Sequence, residues 1–225
     1  MDVYGSQIRE FVSFDADVFT VVKEAVGSRR YRVEIDTEGG HSYGCFGNRN
    51  AIACLAALIR DLYSIPVPSI GKTTYNVGTI SGGTSVNTIA QHAEMLYEFR
   101  SDKREALEIM EAAFRDIICY YRETGLEITV TLMGDRPCSA DVDAVLEQAL
   151  SERAANAVLR HFGREARYGV GSTDCNIPLS MGIPAVCVGC ADGARAHTRL
   201  IYHRGNKKST LFHLTNYAPC ARIPG

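Results

Sequence analysis

The stretch HAEMLYEFR, residues 92–100, decides the fold. From Ala93 to Phe99 every second residue is apolar, and this period of two predicts a half-buried β-strand. Alternation of the same kind predicts a strand over 31–36, and shorter runs predict strands over 73–80 and 128–132. Strands therefore lie on both sides of 92–100 along the chain.

Two helices are predicted between these strands. Apolar residues repeat at helical spacing over 50–63, and again over 102–124, where Ser101 is a suitable N-cap and Gly125 ends the helix. The order between 30 and 133 is strand, helix, strand, strand, helix, strand. This order predicts an α+β fold of the ferredoxin-like βαββαβ type, an antiparallel four-stranded sheet with two helices on one face.

Two further regions flank this domain. Residues 1–29 are too few to form their own core, and 15–28 are predicted to form two helical turns. A long amphipathic helix is predicted at about 141–162, followed by a buried, parallel-type strand in IPAVCVG, residues 183–189. One helix with one or two strands does not complete an α/β layer, so this region is expected to pack on something else.

Composition excludes several classes of function. The net charge of −2 gives no electrostatic reason to bind nucleic acid or an anionic membrane. No apolar run approaches the ~20 residues that span a bilayer, and the N-terminus does not have the pattern of a signal peptide. The eight cysteines are interpreted as reduced thiols of a cytoplasmic protein. Cys187 and Cys190 form a C-x-x-C inside an apolar run, which favours a buried strand over a metal or redox role.

Four groups of polar residues are candidates for chemistry. His41 lies in GGHSYG, where glycines allow close approach to a ligand, although a solvated turn would look the same. Asn87 lies in a glycine-rich loop, where it either donates to a substrate or tolerates a turn. Arg100 ends its strand, where its guanidinium could bind a carboxylate or remain a rim charge.

The fourth group is the pair GSTDCN, 171–176, and GARAHTR, 193–199. A dense polar turn precedes the buried strand, and His197 follows it. Because α/β enzymes place ligands beyond the ends of buried strands, both segments are candidates. The other histidines, His92, His161, His203 and His213, have no such context and are interpreted as structural or surface residues. The polar members of the turn are Ser172, Thr173, Asp174 and Asn176.

Taken in order, these segments resemble one family. GGHSYGCFGNRNAI, NVGTISGGTSVNTIAQHAEMLYEFRS, GSTDCNIPLSMGIPAV and AHTR are similar to motifs of the dinuclear zinc amidohydrolases that include peptidase T, carboxypeptidase G, aminoacylase and acetylornithine deacetylase. In that family a ferredoxin-like lid, which also mediates dimerisation, is inserted into a zinc-binding α/β domain. The resemblance implies that 1–29 end a first catalytic segment, 30–135 form the lid, and 136–225 form the C-terminal part of the catalytic domain.

The resemblance also implies roles for single residues. His41 corresponds to the lid histidine that polarises the scissile carbonyl in the partner subunit's active site. Asn87 and Arg100 correspond to lid residues that bind the substrate's carbonyl or carboxylate. The turn with Ser172, Thr173, Asp174 and Asn176 borders the substrate, and His197 is a zinc ligand. The implied reaction is hydrolysis of a peptide or N-acyl amino acid by zinc-bound hydroxide.

The sequence departs from the family in two places. The other metal ligands of the family lie in a segment that precedes the lid, and this chain has no counterpart of it, so only His197 is assigned to zinc. The tail after 199 is basic and atypical. We therefore expect a truncated family member that is inactive by itself. The alternatives are a non-catalytic dimerisation module or pseudoenzyme and, less well matched to 171–197, a ferredoxin-like domain that binds a small ligand.

A homodimer formed through the lid is expected. The predicted sheet has exposed edges that can pair about a two-fold axis. The helix over 50–63 carries small residues that allow close packing against a neighbour. If the lid dimerises in this way, His41 acts on the other subunit. The small residues are Ala51, Ala53, Ala56 and Ala57.

Overall fold

The structure, a computed structural model, describes residues 8–15, 17, 19–189, 192–194 and 202–204. The chain divides into two compact units: the lid unit, Val26–Pro137, and the flanking unit, which combines Met1–Ala25 with Cys138–Gly225. The elements in chain order are β1 (Phe11–Phe14), β2 (Thr20–Ala25), β3 (Gly27–Asp36), β4 (Gly40–His41), α1 (Ala51–Leu62), β5 (Thr73–Gly82), β6 (Thr88–Ile89), β7 (His92–Ser101), α2 (Arg104–Glu123), β8 (Glu127–Arg136), α3 (Ala144–Phe162), β9 (Arg167–Gly171), α4 (Asn176–Ser180), β10 (Ala185–Val188), β11 (Asp192–Ala194) and β12 (Tyr202–Arg204).

The lid unit is built on one four-stranded sheet. Its strands lie in the order β5-β7-β3-β8, and each neighbouring pair is antiparallel. The helices α1 and α2 contact each other and pack on the two central strands, β3 and β7. This is the βαββαβ arrangement that the sequence predicts, so the ferredoxin-like fold class is confirmed.

Alternation along β3 and β7 separates the two faces of the sheet. The apolar residues of β7 from Ala93 to Phe99 are at most 1% exposed and pack under the helices, as do Val33 and Ile35 of β3. The residues between them point to the opposite face, because successive strand residues alternate sides. That open face carries mostly charged side chains. The core is completed by helix residues Leu55, Leu58, Leu62, Met110 and Phe114.

The helix starts differ in how they are capped. The Asn50 side chain accepts hydrogen bonds from the backbone N–H groups of Ile52 and Ala53, which caps α1. The prediction that Ser101 caps the second helix is wrong, because Ser101 is the buried last residue of β7 and Lys103 occupies the cap position. Ser101 Oγ still accepts a hydrogen bond from Lys103 N at 3.1 Å, so it supports the turn before α2.

One polar network joins α2 to the central strand β3. Tyr31 Oη donates to Glu111 Oε2 at 2.6 Å, and Arg115 Nε donates to Glu111 Oε1 at 2.6 Å. Arg29 Nη1 lies 3.4 Å from Glu111 Oε2. Burial alone raises the pKa of Glu111, but the Tyr31 hydrogen bond and the two guanidinium groups outweigh it and hold that pKa below its usual value.

The flanking unit has a mixed sheet in the order β1-β10-β2-β9. β10 is buried along its whole length and pairs in parallel with β1, in agreement with the buried, parallel-type strand predicted there. The long helix α3 packs on β2 and β10. None of the described helices combines the length and apolarity needed to cross a membrane. The core residues that α3 shares with the sheet are Val21, Val186, Val188, Leu150, Ala154 and Val158.

The prediction of helical turns over 15–28 is wrong. Residues 20–25 form the strand β2, and β3 already begins at Gly27. Thr20, Val21 and Val22 are β-branched, which favours a strand. β2 pairs with β9 and β10, whose residues lie more than 140 positions further along the chain. Such distant pairing leaves no mark on the local pattern.

Candidate active-site residues

Two loops meet at one end of the lid sheet and form what we call the lid tip, residues 39–48 and 83–91. His41 pairs with Thr88 across the short ladder of β4 and β6. Ser42 N donates to Asn87 O at 2.9 Å, which extends the connection by one residue. The structure therefore brings the two predicted lid residues, His41 and Asn87, onto adjoining backbone.

The glycines before His41 have a steric reason. Gly39 and Gly40 have φ of +64° and +126°, a region that other residues rarely adopt. A Cβ at Gly40 would lie 2.8 Å from Cβ and from Sγ of Cys45. Only glycine lets the chain turn sharply enough to present His41 at the surface.

The His41 ring is held by the backbone of its own turn. Tyr43 N and Gly44 N both donate to His41 Nδ1 at 3.3 Å. Because Nδ1 accepts these bonds, the proton of the neutral ring is on Nε2. The side chain is exposed. The turn therefore presents an N–H donor to solvent, the group that polarising a carbonyl oxygen requires.

The Asn87 amide is oriented by a serine. Ser85 Oγ donates to Asn87 Oδ1 at 2.8 Å and lies 2.8 Å from Thr88 Oγ1. Since the one Ser85 proton is directed at Asn87, Thr88 donates to Ser85. This chain of hydrogen bonds occupies the oxygen of the exposed Asn87 amide and leaves its Nδ2 hydrogens as the donors. The lid tip thus carries two N–H donors of the kind that stabilise an oxyanion.

Arg100 is held by a carboxylate of its own sheet. Its Nε and Nη2 donate to the two carboxylate oxygens of Glu98 at 3.1 and 3.2 Å. Arg30 Nε donates to the same carboxylate at 3.0 Å. The predicted carboxylate-binding arginine therefore already binds one carboxylate in a two-pronged manner. Glu98 was not predicted as the partner of Arg100. The sequence did indicate that the two side chains lie on the same face of the strand, because they are two residues apart.

Arg100 and the lid tip lie at opposite ends of the sheet. His92, where β7 begins, directly follows the lid tip, whereas Arg100 lies eight residues further along the same strand. At about 3.4 Å per residue this separates the two ends by about 27 Å. The structure does not bring Arg100 together with His41 and Asn87 within one lid.

The predicted polar turn lies between β9 and α4 in the flanking unit. The Asn176 side chain is buried, and its Oδ1 accepts a hydrogen bond from Thr173 N at 2.8 Å. Thr173 Oγ1 accepts from Cys175 N at 3.1 Å. Asp174 is exposed and Ser172 is half-buried. Two of the four predicted substrate-binding side chains thus hold the turn together, and Asp174 is the one most accessible to a ligand.

The remaining predicted positions divide into two groups. His197, the predicted zinc ligand, and Cys190 lie outside the described residues. Cys175 and Cys187 are buried, and burial raises the pKa of both thiols, which disfavours the thiolate that metals and redox chemistry need. The structure therefore supports the interpretation of Cys187 as a buried strand residue.

Within the described residues, one group of His, Cys, Asp or Glu side chains comes close enough to share a metal ion. It consists of Glu34, His92 and Glu94 on the lid sheet. From the sequence, His92 is interpreted as a structural or surface residue, because the proximity of these three side chains becomes apparent only from the strand register.

Comparison with known families gives a match over most of the lid unit. Residues 24–120 match the family profile described as the peptidase dimerisation domain. No match was found among curated proteins. The profile match runs from the last residues of β2 through the lid unit into α2 and so includes His41, Asn87 and Arg100.

Solved structures extend the match to both units. An aminopeptidase PepT from Bacillus cereus ATCC 10987 has a TM-score of 0.61 at 24% identity, covering 86% of this chain and 52% of that chain. A tripeptidase from Staphylococcus aureus has a TM-score of 0.65 at 23% identity, covering 88% and 52%. An amidase of the hydantoinase/carbamoylase family from Burkholderia vietnamiensis has a TM-score of 0.67 at 19% identity, covering 90% and 53%.

Together with the profile, these matches confirm that the chain resembles the family of peptidases and amidohydrolases that includes peptidase T. At these identities the solved structures themselves show the fold alone. The chain spans about half of the length of each of them.

Proposed function

We propose that this chain is the lid and part of the catalytic domain of a zinc-dependent hydrolase. Its substrates are peptides or N-acyl amino acids, and it acts as a homodimer. The family match supports the reaction class. The observation that carries the arrangement of the active site is the separation of Arg100 from His41 and Asn87.

A small substrate cannot reach both ends of one lid. Two extended residues span about 7 Å, whereas the lid tip and Arg100 are about 27 Å apart. If Arg100 binds the substrate carboxylate while His41 and Asn87 act on the scissile carbonyl, these residues come from two different subunits. We therefore propose that each active site combines Arg100 of one subunit with the lid tip of the other.

The proposed roles follow from the hydrogen bonds of each side chain. His41 Nε2–H and the Asn87 Nδ2 group donate to the carbonyl oxygen as it gains negative charge. Arg100 exchanges Glu98 for the substrate carboxylate and so positions the amide bond. The turn over 172–176 borders the substrate, with Asp174 exposed and Asn176 fixing the backbone.

The zinc requirement is proposed from the family resemblance, in which His197 is one ligand. Zinc supplies a bound hydroxide as the nucleophile when the complete ligand set holds it. The described residues of the flanking unit do not bring three suitable side chains together. We therefore propose that hydrolysis needs ligands from outside these residues. The family resemblance, which assigns only His197 to zinc, is the basis for proposing that the 225-residue chain alone does not hydrolyse.

The proposed dimer uses the outer side of α1 and the edge strand β5. β5 pairs only with β7 in the four-stranded sheet, and its residues 78–82 are exposed. Ile52 of α1 and Ile80 of β5 are 42% and 56% exposed, and Ala53 and Ala56 of α1 are also exposed. Ala51, which we expected to pack on a neighbour, is fully buried in the lid core and does not contribute. An unpaired edge beside small and apolar side chains is suited to two-fold pairing.

The cytoplasmic location remains part of the proposal. The described cysteines are free thiols, which fits a reducing compartment. A non-catalytic dimerisation module is the second candidate. The observation that favours it is that Arg100 already donates two hydrogen bonds to Glu98, so its guanidinium group has a carboxylate partner without substrate.

Subunit complementation tests the arrangement. The experiment uses a form of the protein that contains the complete set of zinc ligands and hydrolyses a peptide or N-acyl amino acid. His41→Ala and Arg100→Ala variants are each prepared as homodimers, then mixed under conditions that exchange subunits. In a heterodimer one site has both defects and the other has none. We expect the mixture to recover activity well above either parent, up to about half of the wild-type activity for each heterodimer, because one of its two sites is intact.

Two controls make the result decisive. His41→Ala mixed with Asn87→Ala places both changes in the same lid tip, so no intact site forms and no recovery is expected. Subunit exchange is verified by mass spectrometry with differently tagged chains. Verified exchange without recovery in the first mixture would rule out the two-subunit site. Failure of every form of the protein to hydrolyse any substrate would favour the dimerisation module.

A further inference from the structure

Four polar side chains meet on the open face of the lid sheet, next to the lid tip. Glu34 and Asp36 belong to β3, and His92 and Glu94 belong to β7. The strand register places Glu34 opposite Glu94 and Asp36 opposite His92. Directly opposed residues share one face and have Cβ atoms about 4.5–5.5 Å apart. The four side chains therefore form a compact square on the two central strands.

Three of these side chains converge. A carboxylate oxygen of Glu34, a ring nitrogen of His92 and a carboxylate oxygen of Glu94 all lie within 4.8 Å of one another. A tetrahedral zinc ion with bonds of about 2.0–2.2 Å holds its ligands about 3.4 Å apart. To reach this spacing from the present separation, the ligand atoms need to move by about 1 Å through side-chain rotation. The three side chains are half-buried or exposed, so they have the freedom to make it.

The fourth side chain orients the imidazole. His92 Nδ1 lies 2.9 Å from Asp36 Oδ1. In the neutral ring this contact places the proton on Nδ1 and the lone pair on Nε2. A histidine that ligates a metal ion commonly donates its other N–H to a carboxylate in this way, which fixes the ring and raises its basicity.

The charges at this end of the sheet also point to a cation. Glu34 and Glu94 are directly opposed, and like charges at such positions repel. Arg32 Nε is 3.8 Å from Glu94 Oε2, and Ser81 Oγ donates to Glu94 Oε1 at 3.1 Å. Ser81 lies directly opposite Glu94 on β5, on the side away from Glu34, whereas Arg32 lies on β3 two residues before Glu34 and contacts Glu94 diagonally. A cation between the two carboxylates would relieve their repulsion.

We propose that Glu34, His92 and Glu94 bind one divalent transition-metal ion, with Asp36 as the positioning residue for His92. Two carboxylates and one imidazole suit zinc or manganese rather than a soft ion such as Cu(I). This site belongs to the lid unit alone and shares no ligand with the zinc site to which His197 is assigned.

The position of the proposed site gives it a role in bracing the lid tip. Asp36 and His92 are the residues at which β3 and β7 meet the tip loops. Thr37 N donates to Gln91 O at 2.8 Å and Thr37 Oγ1 donates to Ala90 O at 3.0 Å, so the bases of the loops are already joined. A metal ion across β3 and β7 would add a second connection at the same level.

Zinc titration of the full 225-residue chain tests the proposal. The protein carries His197→Ala, so that the ligand assigned to the other zinc site is absent, and is freed of metal before calorimetry at neutral pH. We expect one zinc ion per chain. His92→Ala and Glu94→Gln are expected to weaken binding by about 100-fold or more, because three ligands fall to two. Asp36→Asn is expected to weaken it by about 10–100-fold with unchanged stoichiometry.

Glu127→Gln is the matched control. Glu127 lies opposite Asp36 on the other side of β3 and is exposed, but it is not one of the three ligands. The substitution makes the same charge change as Glu94→Gln at the same end of the sheet. Binding is expected to change by less than about threefold. Thermal unfolding of each metal-free variant checks that the lid is folded.

Cobalt absorption provides a second readout. Co²⁺ added to the parent protein is expected to give visible bands of a low-coordinate site containing imidazole, and His92→Lys, which keeps a cation at this position, is expected to lose them. The proposal is overturned if the parent protein binds zinc no more tightly than Glu94→Gln. It is equally overturned if Glu127→Gln weakens binding as much as Glu94→Gln does, which would mean a diffuse acidic surface. Because no assay here measures hydrolysis, these outcomes are independent of the proposed enzymatic function.

Discussion

The two ends of the lid sheet hold their polar groups in different ways. At the end with Arg100, charged side chains pair with each other, and Glu98 is shared between Arg100 and Arg30. At the lid tip, backbone N–H groups and a serine hydroxyl occupy Nδ1 of His41 and Oδ1 of Asn87. The donors that remain, Nε2–H and the Nδ2 group, are directed by these contacts before any substrate arrives.

This difference predicts two kinds of ligand binding. A carboxylate that binds Arg100 must displace Glu98, so the gain is the difference between two similar ion pairs, both partly screened by solvent. A carbonyl that binds at the lid tip displaces water from donors that are already oriented, which is the condition for electrostatic preorganisation. The end of the sheet with Arg100 and Arg30, here called the basic end, is therefore suited to exchange one carboxylate for another. The lid tip is suited to stabilise negative charge that develops on a carbonyl oxygen.

The largest expected effect concerns the polar network that joins α2 to β3, a central strand of the sheet on which both ends lie. Glu111→Ala removes the acceptor of Tyr31 and the partner of Arg29 and Arg115. Breaking a buried charged pair costs about 3–5 kcal/mol, and the lower value is expected because Arg29 keeps Asp135 at 3.7 Å. Chemical denaturation of wild type and variant measures the loss in free energy of unfolding.

The same carboxylate predicts a pH dependence. The folded state lowers the pKa of Glu111 below its unfolded value of 4.5, so its contribution is fully present above pH 4.5 and is lost as the pH falls through the lower folded pKa. Glu111→Gln keeps an acceptor for Tyr31 but cannot titrate. Its stability should fall less steeply than that of wild type below pH 4.5. Equal slopes in acid would show that Glu111 is not coupled to folding.

The second effect tests the exchange at the basic end. Arg100→Ala should weaken binding of a substrate carboxylate by about tenfold or more, since a hydrogen bond to a charged group contributes about 1.5–3 kcal/mol. Arg100→Lys should cost less, because it keeps the charge but loses the two-pronged contact. Inhibition constants of a carboxylate ligand, measured with the protein in its hydrolysing form, give both values.

Glu98→Gln sharpens this test because it weakens the internal competitor. It should strengthen carboxylate binding by a few fold, whereas a ligand with an amide in place of the carboxylate should not respond. The opposite sign, with weaker binding in Glu98→Gln, would mean that Glu98 positions Arg100 rather than competing with substrate. Unchanged binding in all three variants would leave Arg100 as a rim charge.

The sequence predicted the lid more completely than the flanking unit, for a physical reason. Alternation along β3 and β7 is local, since it arises from one buried face, and it identified both strands and the βαββαβ order. β2 has no such pattern, and its partners β9 and β10 lie far along the chain, so helical turns were predicted in its place. A local pattern cannot encode a distant partner.

The same limit applies to the functional residues. The motif glycines allow His41 to approach a ligand, which stays a prediction, and the contact of a Gly40 Cβ with Cys45 shows why a residue without Cβ is needed there. The partners of the candidate residues were not predicted, and some of them depend on strand register while others do not. The Glu98 contact of Arg100 needs only the spacing of two along one strand. The convergence of Glu34 with His92 needs the alignment of two strands 58 positions apart, and the sequence holds no sign of it.

The smallest expected effect concerns the orientation of Asn87 at the lid tip. Ser85→Ala removes the hydroxyl that donates to Asn87 Oδ1 and accepts from Thr88. A neutral hydrogen bond contributes about 0.5–1.5 kcal/mol, so kcat/KM should fall by about two- to tenfold. The fall should appear mainly in kcat, because an oriented amide matters most when the oxyanion develops. Ser64→Ala, which removes a hydroxyl bonded to Arg60 O at the far end of α1, is the matched control and should leave both constants unchanged. Equal losses in the two variants would indicate a general effect on the lid. A loss confined to KM would indicate that Asn87 binds substrate and transition state alike, and would remove the distinction between a preorganised tip and an exchanging basic end.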